Sequence, residues 1–118
     1  MIKLKNLTTT YAMANWVKLG VENLEWKDYN RLVALMHLEK PITNRLKLTE
    51  LVQEICSLVP DECTVLIDPP SWMHKAFIQE LELKKCVYWF PFKYEGTDSD
   101  SLIYNTTYVE HTQLIRGN

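Results

Sequence analysis

Residues 63–92 read CTVLIDPPSWMHKAFIQELELKKCVYWFPF, and they decide the fold. Cys63 to Ile67 is a continuous apolar run, the pattern of a strand buried on both faces, as in a parallel sheet. Ser71 to Leu83 is amphipathic, with Met73, Ala76, Phe77 and Leu81 along one side. Cys86 to Phe92 is a second near-continuous apolar run, and Pro91 should end its regular pairing. Strand, helix and strand in about thirty residues make a βαβ unit, whose crossover is right-handed.

Working outward, residues 2–7 (IKLKNL) alternate apolar and polar and read as a short strand. Thr8, Thr9 and Thr10 supply hydroxyls suited to capping a helix over about residues 10–19, with Gly20 as its stop. Asp28 to Glu39 puts Tyr29, Leu32, Val33 and Met36 on one helical face, and Pro41 ends that element. Thr43 or Asn44 can cap the next helix, whose face is Leu48, Leu51, Val52, Ile55, Leu58 and Val59. Residues 94–101 (YEGTDSDS) read as a polar loop, and residues 102–115 offer one or two more strands. The expected order is β-α-α-α-β-α-β-β. The expected fold class is α/β, a small three-layer Rossmann-like domain spanning residues 1–118. Its sheet should be mainly parallel, with an antiparallel C-terminal edge strand. The alternative is an α+β domain with a separate helical layer from the first 60 residues.

Composition sets bounds on function. The chain has 118 residues, 47% hydrophobic and 24% charged, with net charge −2. A core is available, and the balance is not that of a protein that binds long nucleic acid. No apolar run approaches the roughly 20 residues of a membrane span. The start MIKLKNLTTT has no secretory h-region, so the expected location is cytoplasmic. Three cysteines, with no CxxC pair, support neither a disulfide framework nor a standard zinc motif and are expected as buried thiols. No metal and no cofactor are expected.

The turn DPPSW, residues 68–72, admits three readings. Asp-Pro-Pro before an aromatic resembles the base-holding motif of amino-methyltransferases. Here Ser71 intervenes, and the glycine-rich cofactor turn of those enzymes is missing, which rejects that reading. As a ligand site, the turn lies at the carboxyl end of a parallel strand, where open α/β sheets bind ligands. The following helix points free N–H groups there. Ser71 can hydrogen-bond a phosphate and Trp72 can stack on a base. The turn Thr8–Thr10 opens on the same edge, as does Lys93, so hydroxyls, an aromatic, the acid Asp68 and a cation would line one pocket. In the structural reading, Asp68 or Ser71 merely caps the helix and Trp72 fills the core.

The order of segments resembles a group of small bacterial and phage proteins of uncharacterised function. The matching stretches are NLTTTYAMANWVKLGVENL (6–24), VLIDPPSWMHKAFIQEL (65–81), YWFPF (88–92) and VEHTQLI (109–115). The layout is also similar to small Rossmann-like accessory proteins of type III CRISPR systems, some of which bind or cleave cyclic oligoadenylates. The chain departs from the pattern in two places. Thr9-Thr10-Tyr11 stands where those relatives carry a histidine, and Asp-Pro-Pro stands where they carry Gly-Pro or Ala-Pro. His111 matches their terminal histidine.

The resemblance implies a small nucleotide ligand, most concretely a cyclic oligonucleotide signal of antiviral defence. Any cleavage would be metal-independent phosphodiester chemistry. A twofold-symmetric ligand would favour a homodimer. The alternative is a phage-encoded inhibitor that binds a host defence protein through its surface. Its four tryptophans and six tyrosines suit such an interface.

Overall fold

The computed structural model describes residues 3–38, 40–92 and 113–117. The elements are β1 (Leu4–Asn6), α1 (Ala14–Lys18), β2 (Val21–Asn23), α2 (Trp26–Met36), α3 (Arg45–Cys56), β3 (Thr64–Leu66), α4 (Ser71–Leu83), β4 (Val87–Phe92) and β5 (Gln113–Arg116). They build one five-stranded sheet in the order β2-β1-β3-β4-β5. The first four strands are parallel and β5 is antiparallel to β4. The fold is α/β with a small Rossmann-like layout.

The βαβ unit of residues 63–92 is present. Thr64 pairs with Val87 and Leu66 with Trp89, in parallel, with α4 between. The chain steps from β1 outward to β2, then returns past β1 to β3. Right-handed crossovers in opposite directions place helices on opposite faces. The buried clusters agree. Leu32, Val52, Ile55, Met73, Phe77 and Leu81 from α2, α3 and α4 pack with Val65, Ile67 and Tyr88 on one face. Ala12 and Trp16 cover Leu4, Val21 and Leu66 on the other. One layer therefore holds three helices, and the other rests on a five-residue helix.

Four expectations are corrected. First, a strand, β2, stands between the first two helices, where a loop was expected. It is only three residues long, and Gly20 leads into it with φ 99°, a left-handed conformation that suits glycine. Second, α1 is shorter than residues 10–19, because residues 8–13 form a tight turn instead of a helical first turn. No threonine caps it; its N-cap is Met13, with no side-chain bond. Third, α2 starts at Trp26 and ends at Met36. Fourth, β4 continues through Pro91, which pairs with Leu114. The N–H of Val87 donates to Cys63 on the β3 side, so by alternation the nitrogen of Pro91 faces that side too. Pairing with β3 ends at Trp89, so no donor is needed there.

The remaining helix ends follow local chemistry. The side chain of Asn44 accepts from the Lys47 N–H at 3.0 Å and caps α3, as its position predicted. The end of α4 is a Schellman turn. Lys85 is left-handed (φ 57°), its N–H donates to Glu82 O at 3.0 Å, and the Cys86 N–H donates to Leu81 O at 2.9 Å.

Candidate functional site

The strand order reverses between β1 and β3, where one crossover leaves toward β2 and the next connection arrives from it. In parallel α/β sheets this switch point, at the carboxyl ends of the strands, is where ligands bind. The turns after β1 (Leu7–Met13) and after β3 (Ile67–Pro70) flank it. The Leu7 N–H donates to Leu66 O at 2.9 Å, so the two turns leave the sheet side by side.

The first turn is built around two asparagines. Asn6 and Asn23 are register partners on β1 and β2. Asn6 Nδ2 donates to Thr10 O at 2.8 Å and to Asn23 Oδ1 at 2.9 Å. Asn6 Oδ1 accepts from the Thr8 N–H at 3.1 Å and the Thr8 hydroxyl at 2.7 Å. Asn23 Oδ1 accepts from the Ala12 N–H at 2.8 Å, and Asn23 Nδ2 donates to Ala12 O at 3.0 Å. Both amide orientations are thereby fixed by backbone partners. Thr8 is buried, and its hydroxyl also accepts from the Thr10 N–H at 3.2 Å. Its hydroxyl thus holds the turn together, while Thr9 and Thr10 are exposed.

The second turn presents Asp68 and Ser71 to solvent. Neither caps α4, whose N-cap is Pro70 with no side-chain bond. The first-turn N–H groups of a 13-residue helix therefore face the crevice without a side-chain cap. Trp72 is the second residue of α4. It is half-buried against the main core and lines a groove of about 230 Å³ between α3 and α4, together with Arg45, Leu48, Thr49, Lys75 and Gln79. Half-buried beside α3, its ring is less exposed than that of Trp26. Lys93 and His111 lie outside the described residues.

Three further aromatic side chains lie at this edge. Tyr11, in the β1–α1 turn, makes edge contacts with Trp26 and Tyr29 at the start of α2, with ring centroids 6.1 and 5.4 Å apart. Trp26 and Tyr29 stack at 5.6 Å and 26°. The Tyr29 hydroxyl donates to Thr9 O at 2.9 Å, tying the trio to the switch-point turn. Trp26 is 66% exposed and Tyr11 45%. Missing β2 hid this trio in the sequence. Once a strand is placed at residues 21–23, the start of α2 falls on the same edge as Tyr11.

A second small cleft of about 230 Å³ has Lys5, Asn23, Glu25, Asp28, Leu58 and Pro60 in its wall. Lys5 is already paired with Glu22 at 3.2 Å, so the cleft offers no uncompensated cation. Among the described residues no cluster of histidine, cysteine and carboxylate groups could hold a metal ion, and no helix is long and apolar enough to cross a membrane. His74 is exposed and stacks on Phe90 at 5.5 Å. No family model matches the chain, and no curated protein or solved structure matches it either.

Proposed function

We propose that the carboxyl edge of the sheet binds a nucleotide-type small molecule. The observation that carries this reading is the aromatic trio of exposed Tyr11 and Trp26 with half-buried Tyr29, fastened to the turn that borders the switch point. One face of Trp26 is occupied by Tyr29, and the ring remains mostly exposed, which suits it to receive a base. The hydroxyls of Thr9, Thr10 and Ser71 and the first N–H groups of α4 serve the sugar-phosphate part. Asp68 accepts from a ribose hydroxyl and disfavours a phosphate directly beside it. The narrower class, a cyclic oligonucleotide, is supported by the resemblance in segment order alone.

The test is tryptophan fluorescence and thermal shift against mono-, di- and cyclic oligonucleotides. Trp26→Ala should keep the fold and weaken binding by about 1–3 kcal/mol, or roughly 5- to 150-fold. No response of either signal at millimolar ligand overturns the reading.

A second reading is a protein-binding surface, with a host defence protein as the partner. Met13 and Val17 favour it. They are 67% and 51% exposed, stand at the N-cap of α1 and one turn into it, and have no role toward a nucleotide. Co-purification of one protein, lost on Val17→Asp and unaffected by nucleotide, would select it.

A further inference from the structure

The two strands of the βαβ unit are entered through matching turns. Glu62 and Lys85 are both left-handed, with φ 60° and 57°, and each immediately precedes a cysteine. The Glu62 N–H donates to Lys84 O at 2.9 Å, and the Val87 N–H donates to Cys63 O at 3.0 Å. Thr64 and Val87 are register partners, so Cys63 and Cys86 face each other one step before the ladder begins. Their sulfurs are 3.7 Å apart. Neighbouring strands are about 4.8 Å apart, inside the Cα separation of about 4.4–6.8 Å that a disulfide spans.

The geometry points to Cys63 and Cys86 as a thiol pair that small-molecule disulfides, such as oxidised glutathione, convert to an intramolecular cross-strand disulfide. Cys63 is half-buried and Cys86 buried, so Cys63 meets the oxidant first. Its thiolate attacks one glutathione sulfur, the S–S bond breaks, and one glutathione thiolate leaves with the bonding pair. The Cys86 thiolate then attacks Cys63 Sγ and expels the second glutathione. The protein gives up two electrons and two protons, and one glutathione disulfide becomes two thiols. Burial pushes the Cys63 thiol up to about 11, so the first step is slow at neutral pH. Its rate should rise about tenfold per pH unit as the thiolate fraction grows. Cys56 is fully buried at the end of α3, with its thiol pushed up to about 12, and stays reduced.

The experiment incubates the folded full chain with oxidised glutathione at about pH 8.5, followed by thiol counting and non-reducing peptide mapping. Thiols should fall from three to one, with a Cys63–Cys86 peptide pair that dithiothreitol separates. Cys56→Ser should behave like the parent. Cys86→Ser should stop at a glutathione adduct on Cys63. Circular dichroism before and after oxidation establishes that the chain stayed folded. If Cys86→Ser fails to fold, the parent and Cys56→Ser still decide the matter. Retention of all three thiols in the folded parent, or a bond that includes Cys56, overturns the proposal.

Discussion

Asn6 and Asn23 face each other across β1 and β2, and the amide nitrogen of Asn6 donates to the Asn23 carbonyl oxygen at 2.9 Å. This bond links the end of the sheet to the turn that carries Thr9, Thr10 and Tyr11. Asn6 is fully buried, and each of its polar atoms has two partners. Asn6→Ala should cost about 1–3 kcal/mol, because the Thr8 N–H loses its partner inside the turn and the Thr10 carbonyl loses one of two donors. Asn6→Asp should cost more at neutral pH, since a carboxylate would face two acceptors. Its folded-state pKa would then be raised, so its stability should be best at low pH and lost as pH rises. Urea denaturation at about pH 4 and pH 7 checks both the size and the sign.

Trp26 should serve as a stacking surface and Trp72 as a packing contact. Trp72→Ala removes a ring packed between α3 and α4 and should lower stability by about 2 kcal/mol, with nucleotide affinity unchanged. Trp26→Ala should change stability by less than about 1 kcal/mol and weaken any nucleotide binding. Melting temperature and affinity measured on both variants would separate a stacking surface from a packing contact.

On α3, Ile55 is fully buried and Leu51 is half-buried. Ile55→Ala should cost about 2–5 kcal/mol, and Leu51→Ala clearly less. Equal shifts of the denaturant midpoint would show that Leu51 is as tightly enclosed as Ile55.

Burial holds the Cys56 thiol at about 12 and Cys63 at about 11, each raised from 9.0. In the unfolded chain both ionise from about pH 9, while the folded chain keeps the protons. Stability from these groups is full below that pH and is lost above it. For the buried Cys56 the slope should be about 1.4 kcal/mol per pH unit while it stays protonated only in the fold. Cys56→Ala should be less stable at neutral pH and show a shallower alkaline decline between about pH 9 and 11.

Lys85 closes α4 in a left-handed conformation that a Cβ disfavours. Lys85→Gly should raise stability by about 0.5–1 kcal/mol, the relief exceeding glycine's extra unfolded-state entropy. A fall instead would show that the Lys85 side chain contributes more than its backbone conformation costs.

The sequence by itself determined the βαβ unit. Two apolar runs and an amphipathic helix carry their own periodicity, and Asn44 and Gly20 mark helix ends through local chemistry that needs no distant partner. It also indicated which edge of the sheet to examine, because a strand–turn–helix boundary in a parallel sheet fixes that edge. Tertiary structure decided the rest. β2 has three residues, too few to show a period, and exists as a strand because β1 supplies its hydrogen-bond partners. Thr8 is a turn-builder and not an exposed donor, because Asn6 lies beneath it. Trp72 and Trp26 look alike as letters in a chain. Packing against α3 shelters the first, while the second stands exposed at the start of α2. Burial of a side chain depends on what the rest of the chain brings over it, and that information is non-local.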